Sequence, residues 1–175
     1  TATITISGPP KAVIDSTSAL TNLPQVVSPL ANDSVSSSVA ASGVSIDPAS
    51  LRLCGSSDVA PACSQTSVTI AGKGTYVLDV ATSRITFTPV ADYFGSPAPV
   101  TYAISDTASL SSTAVYQPVV EPRPAVATAD RTTGDQAVVQ TVTPVTNDVA
   151  TPNTTMTANT TRLCAANETA PACTA

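Results

Sequence analysis

The chain of 175 residues contains no histidine and no tryptophan, and only 11% of its residues are charged. Histidine is the most common general acid or base in enzymes and the most common metal ligand. A Ser or Thr nucleophile also needs a neighbouring base. We therefore expect a protein that is not an enzyme, with no catalytic residues, no cofactor and no bound metal.

Positive charge is also scarce. The chain has seven Lys and Arg residues and twelve Asp and Glu residues, which gives a net charge of −5. A nucleic-acid-binding surface needs a basic patch, so we expect no nucleic-acid partner. No apolar run approaches the roughly 20 residues of a membrane span, which predicts no membrane insertion by this segment. The sequence shows neither a signal peptide nor a lipidation motif and is expected to be a mature or excised segment.

What the chain does contain is 21 Ser, 28 Thr and 15 Pro, together with apolar residues that are mostly Ala and Val. Apolar residues alternate with polar ones in several short runs, the pattern of half-buried strands, whereas disordered chains rarely alternate so regularly. The pattern predicts an all-β fold, a β-sandwich or small barrel. The predicted core residues are Tyr76, Leu78, Ile85, Phe87, Phe94, Val100, Tyr102 and Ile104.

The four cysteines form two pairs with the same spacing in the same sequence frame, Arg-Leu-Cys followed by Ala-Pro-Ala-Cys. Zinc would need four converging ligands, usually at shorter spacings. Local disulfides Cys54–Cys63 and Cys164–Cys173 are favoured, although the spacing leaves cross-pairing between the two units open. Disulfides place the protein in an oxidising, extracytoplasmic compartment.

An internal repeat organises the chain, because Asp15 and the motif at 29–33 recur 115 residues later, and the cysteine frame recurs after 110. The repeat predicts a last strand of a preceding unit at 1–8, a complete unit with a Pro-rich C-terminal linker at 9–122, and the first half of another at 123–175. The linker extends from Pro118 to Pro124 and is expected to be extended and semi-rigid. The chain thus looks cut from a longer tandem array.

The two units differ in their aromatic content. All six aromatic residues lie in the second half of the complete unit, and residues 125–175 contain none. About 50 residues without large apolar side chains cannot bury a sufficient core alone. We expect this half-unit to be ordered only when its missing half or another subunit covers it.

The complete unit resembles the CshA-type fibril repeat of large bacterial surface adhesins. The matching segments are 30–33 (LAND), 46–53 (IDPASLRL), 68–70 (VTI), 72–76 (GKGTY), 85–89 (ITFTP), 93–95 (YFG) and 97–106 (PAPVTYAISD). The resemblance implies Ig-like β-sandwich repeats in tandem, forming a stalk on the bacterial cell surface. It also implies that the partners are neighbouring repeats of the same chain, and that this chain is stalk and not adhesive tip. The cysteine pairs are not part of the family's general pattern and indicate a disulfide-bearing subset.

Two alternative functions remain. The first six residues alternate cleanly and could pair with an identical subunit by strand addition, which would make a non-covalent filament or sheath. These residues are Thr1, Ala2, Thr3, Ile4, Thr5 and Ile6. A host- or glycan-binding module is the other alternative, with the loop at 32–43 as its contact, although that loop has no aromatic residue for sugar stacking.

The sequence offers residues for two further kinds of site. Asp15, Asp33 and Asp106 could converge at a domain join to bind calcium, but Asp and Asn in such loops more often cap backbone amides. An isopeptide crosslink would need Lys11 or Lys73 beside an Asn and a buried carboxylate. Lys73, flanked by two glycines, is expected in an exposed turn instead.

Overall fold

A computed structural model describes residues 8–157 and 162–164. The chain divides into two compact units, Thr1–Pro122 (unit 1) and Arg123–Ala175 (unit 2). Unit 1 contains all of the named strands and helices, and unit 2 contributes one isolated β-bridge, Val126–Val149, in its described part.

Unit 1 is nearly all β. Its strands are β1 (Asp15–Leu20), β2 (Gln25–Val27), β3 (Ile46–Leu53), β4 (Ser67–Ile70), β5 (Gly74–Asp79), β6 (Arg84–Pro89), β7 (Val100–Asp106) and β8 (Ser111–Glu121). A 3-10 turn at Pro29–Ala31 and a single helical turn, α1 (Ser37–Ala40), lie between β2 and β3. The strands form two four-stranded sheets, in the orders β1-β8-β7-β3 and β2-β6-β5-β4. The predicted all-β sandwich is confirmed.

The core lies between the two sheets, and seven of the eight predicted core residues are buried there. Phe94 is the exception and is 38% exposed, so that prediction was wrong. It lies in the connection after β6, where no strand imposes alternation, and the neighbouring Tyr93 packs against the core in its place. Buried residues that were not predicted are Leu51, Leu53, Tyr116 and Val120.

Pro118, which the proline-rich pattern assigned to the linker, lies inside β8 and is fully buried. Proline is tolerated in a strand only where its missing N–H has no ladder partner. Val120 exchanges backbone hydrogen bonds with Gly95, and residues two apart share a side of the strand, so the nitrogen of Pro118 faces the same way. On that side β7 begins at Val100, opposite Tyr116, and does not reach Pro118.

Candidate functional site

The first and last strands of unit 1 lie side by side and parallel. Their register pairs Asp15 with Tyr116 and continues without interruption to Leu20 with Glu121. The chain therefore enters beside Asp15 at one end of this pair and leaves after Glu121 at the other. Tension between the two ends loads all six register pairs together in shear, because the strands are pulled along their length in opposite directions.

A buried polar network ties the same strands to the second sheet. The Thr17 hydroxyl lies 2.7 Å from the Tyr116 hydroxyl and donates to Gln25 Oε1 at 2.5 Å. Gln25 Nε2 in turn donates to the carbonyl of Val119 at 3.0 Å. Burial raises the pKa of Tyr116, so its hydroxyl stays neutral. A buried network with every member bonded holds strands in one register, and this one connects β1, β2 and β8.

A second buried cluster joins two carboxyl groups to one tyrosine from β7. The Tyr102 hydroxyl oxygen lies 2.9 Å from Asp15 Oδ2, 2.8 Å from the Val13 carbonyl oxygen and 3.4 Å from both carboxylate oxygens of Asp33. Asp33 also accepts a bond from the Val13 backbone N–H at 2.7 Å, and Asn32 Nδ2 donates to Asp15 Oδ1 at 3.2 Å. The cluster fastens the segment that leads into β1 to the core.

Burial perturbs the acidities of this cluster. Desolvation raises the pKa of Asp33 to about 6, and the charge of Asp15 adds to that shift. Desolvation also raises the pKa of Asp15, against the opposing hydrogen bonds from Tyr102 and Asn32.

Only two of the three aspartates that could have bound calcium come together. Asp15 and Asp33 meet at Tyr102, whereas Asp106 caps the turn after β7 by accepting bonds from the Ala108 and Leu110 backbone N–H groups, both at 2.9 Å. Within residues 8–157 and 162–164, no group of three or more His, Cys, Asp or Glu side chains could hold a metal ion. The carboxyl oxygens of Asp15 and Asp33 are engaged with hydroxyl, amide and backbone groups, whereas Asp106 Oδ2 is buried without a hydrogen-bond partner among the described residues.

The first predicted disulfide is present and joins Cys54 to Cys63. It braces the loop between β3 and β4, which is closed at its base by a two-way backbone bridge between Leu53 and Gln65. Asp58 fills the loop and accepts bonds from the backbone N–H groups of Gly55 at 2.8 Å and Ser64 at 3.3 Å. The cystine and these hydrogen bonds together hold the loop between β3 and β4 in one conformation.

An open groove of about 590 Å³ runs beside this loop, between the edge strand β4 and the start of β7. Hydroxyl-bearing residues such as Ser67, Thr69 and Thr101 line it, together with Val68 and Ile70, and its lining includes no aromatic side chain. It therefore lacks the flat apolar surface on which a sugar ring stacks.

Several other predicted residues lie away from these clusters or outside the residues that the structure describes. Cys164 is described but Cys173 is not, so the second predicted disulfide is untested. The predicted inter-subunit strand, residues 1–6, also lies outside the described residues. In the loop at 32–43, Val39 of α1 is buried, so one turn of the loop is anchored to unit 1. Lys73 is exposed, with Nζ 4.8 Å from the centre of the Tyr93 ring.

Unit 2 repeats the local geometry of the first part of unit 1 at an offset of 115 residues. Ala137 has a positive φ of 62°, as Asn22 does at 66°. Five further contacts recur, with the unit 1 counterpart of each in parentheses: the bridge Val126–Val149 (Lys11–Ser34), Thr128 N to Asp148 Oδ1 at 2.7 Å (Val13 N to Asp33 Oδ1 at 2.7 Å), Val138 N to Asp135 O at 3.2 Å (Leu23 N to Leu20 O at 3.2 Å), Thr146 N to Thr143 O at 3.2 Å (Ala31 N to Ser28 O at 3.0 Å), and Thr132 Oγ1 to Gln140 Oε1 at 2.8 Å (Thr17 Oγ1 to Gln25 Oε1 at 2.5 Å).

The sequence patterns did not reveal the Thr17–Gln25 network or the role of Tyr102. The repeat itself carried a signal for the first, because Thr132 and Gln140 stand 115 residues after Thr17 and Gln25. Nothing in the sequence pairs Tyr102 with Asp15, since that contact joins residues 87 apart.

The family whose pattern matches this chain is described as the surface adhesin CshA repetitive domain, and the match covers residues 9–120. No curated protein and no solved structure gives a significant match. Among the described residues, no helix has the length and apolarity needed to cross a membrane.

Proposed function

Because this chain belongs to the family of surface adhesin CshA repetitive domains, we propose that it is a load-bearing, non-catalytic repeat in the stalk of an extracellular bacterial fibril. The family implies a place at the cell surface and a role as a repeat domain of an adhesin. The load-bearing role is inferred from the arrangement of the terminal strands.

The observation that carries the proposal is the parallel pairing of β1 with β8. In an antiparallel pair of terminal strands, tension would open one hydrogen bond after another. The parallel register instead makes the bonds resist together, and the Thr17–Gln25–Val119 network adds side-chain links across the same strands. Resistance to force depends on the height of the unfolding barrier, and a shared load raises that barrier.

We also propose that unit 2 is the first part of a second repeat, in a tandem array. The five recurring contacts and the recurring positive φ support this, because they follow a single offset and reproduce both backbone and side-chain bonds. In unit 1 the corresponding groups receive further partners from β7 and β8, chiefly Tyr102, Tyr116 and Val119. Unit 2 is therefore expected to complete its fold when equivalent strands cover it.

Pulling direction tests the load-bearing role without altering the core. Handles at residues 8 and 122 load β1 and β8 in shear, whereas handles at residues 23 and 122 pull from the same end of the pair and open it bond by bond. The first geometry should unfold unit 1 at a clearly higher force in single-molecule measurements. Equal forces in the two geometries would refute the load-bearing role.

A pair of matched proline variants provides a second test. Thr21 donates its backbone N–H to Glu121, so Ala19, two residues earlier, directs its N–H towards β8 in the same way. Val68 is the matched control, because it lies in β4, an edge strand of the other sheet, and pairs with Tyr76 of β5. Ala19→Pro should lower the unfolding force under end-to-end tension much more than Val68→Pro, relative to the loss of thermal stability that each causes.

The size of the native protein separates a covalent stalk from the non-covalent filament. A reducing, denaturing gel should show a band many times larger than 17.5 kDa, with similar peptides recurring about every 115 residues. A band near 17.5 kDa from material that forms filaments would instead favour separate subunits joined by strand addition.

A further inference from the structure

The hydrogen atoms available around Tyr102 are too few for the contacts that its oxygen makes. A phenol carries one hydrogen, and a carbonyl or an ionised carboxylate carries none. The Tyr102 oxygen nevertheless lies 2.8 Å from the Val13 carbonyl oxygen and 2.9 Å from Asp15 Oδ2, both of which are hydrogen-bonding distances. With both carboxyl groups ionised, one of these two contacts would bring lone pairs together with no hydrogen between them.

One additional proton removes the conflict. With Asp15 as the acid, its Oδ2–H donates to the Tyr102 oxygen and the Tyr102 hydroxyl donates to the Val13 carbonyl. Asp33 then remains the acceptor of the Val13 N–H bond at 2.7 Å. Because Asp33 also faces the Tyr102 oxygen, the two carboxyl groups compete for the same proton and titrate as a pair.

We propose that Asp15, Asp33 and Tyr102 form a proton-binding site, in which the folded unit holds one proton on the carboxyl pair in a hydrogen bond to Tyr102 and releases it on unfolding. The inference concerns the folding of unit 1 and does not depend on its role in a stalk.

The surroundings favour the bound proton. The titratable groups that face the site are Asp15 from β1, Asp33 from the loop after the 3-10 turn, Tyr102 from β7 and Tyr116 from β8. Neither carboxyl pKa receives a contribution from a Lys or Arg side chain. Burial without a compensating cation disfavours a second negative charge, and it raises both carboxyl pKa values.

The sign of the effect on stability follows from the direction of these shifts. The carboxyl pKa is higher in the folded chain, where that of Asp33 is about 6, than the ordinary value of 3.8. The folded unit therefore binds more protons between these two values, and its stability rises as the pH falls through that interval. Where the folded unit holds one proton that the unfolded chain has released, the unfolding equilibrium constant rises about tenfold for each pH unit of increase.

Two measurements on the full chain test the site. In the first, NMR follows the side-chain carboxyl carbons of Asp15 and Asp33 in the wild-type chain between pH 3 and pH 8. At least one of them should remain protonated well above pH 5. Titration of both carboxyl groups near 3.8 would overturn the proposal, whatever the behaviour of any variant.

The second measurement is urea unfolding at pH 4.5 and pH 6.5, monitored by tyrosine fluorescence, which reports on unit 1 because all four tyrosines lie there. The unfolding constant of the wild type should rise about tenfold or more over this interval. The double variant Asp15→Asn/Asp33→Asn should lose this dependence. Asp79→Asn, which changes an exposed carboxyl at the last residue of β5, should keep it. A double variant that retained the dependence would overturn the proposal.

Discussion

Removal of the Cys54–Cys63 disulfide should destabilise unit 1 without dismantling its fold. The double variant Cys54→Ser/Cys63→Ser leaves the base of the loop closed, because Leu53 and Gln65 still exchange two backbone hydrogen bonds. Asp58 still caps the interior of the loop. The main effect therefore falls on the unfolded chain, which regains the freedom that the crosslink had removed.

The magnitude follows from the size of the closed loop. The two cysteines are separated by 9 positions, so that the disulfide closes a loop of ten residues. The chain-entropy relation then gives a loss of about 2.7 kcal/mol in the free energy of unfolding. For a domain of this size, such a loss corresponds to a fall of about 10 °C in Tm.

The assay is thermal and urea unfolding of the full chain, monitored by tyrosine fluorescence or near-ultraviolet circular dichroism. Because residues 125–175 contain no aromatic residue, the signal reports on unit 1. Cys164→Ser/Cys173→Ser is the matched control and should leave this transition in place. The reasoning is refuted if the first variant unfolds at the wild-type temperature, or if both variants shift the transition equally.

Two further substitutions probe the core and the network between β1 and β8. Gly74→Ala places a Cβ 2.5 Å from both Phe87 Cζ and the Thr88 backbone oxygen. The overpacking should destabilise the folded unit by about 3 kcal/mol. Alanine also makes the unfolded chain stiffer, which offsets up to about 1 kcal/mol of that cost. We therefore expect the free energy of unfolding in urea to fall by about 2 kcal/mol. Gly8→Ala, which meets nothing within 4 Å, should change stability by less than about 0.5 kcal/mol, and equal effects of the two would contradict this account. Tyr116→Phe removes the hydroxyl contact with Thr17 and should cost about 1 kcal/mol in the same assay; an unchanged midpoint would show that the network adds no stability.

The family and the fold class could be predicted from the sequence because both depend on local patterns. Alternation along β5, β6 and β7 follows from the two-residue period of a strand, and it identified Tyr76, Phe87 and Tyr102 as buried. The Cys54–Cys63 pair could be inferred from its spacing and its repetition. The prediction for Phe94 failed because alternation holds only inside a strand and this residue lies beyond the end of one.

Strand pairing between distant segments was not predictable from those patterns. No local feature indicates that β1 lies parallel to β8, since the ladder joins residues about 100 positions apart. Pro118 illustrates the same difficulty. A proline-rich stretch ordinarily predicts a linker, and only the early end of β7 leaves room for proline within the last strand.

The sequence by itself determined that this chain is built from strands and that motifs of its first part recur 110 to 115 residues later, and it favoured a short loop closed by one cysteine pair. These properties depend on residue spacing, which the linear chain already contains. The tertiary structure alone decided that the first and last strands of unit 1 lie side by side and parallel, and that Asp15 and Asp33 meet at one tyrosine. Both depend on which segments become neighbours when the two sheets pack, and therefore on contacts between residues far apart in the chain.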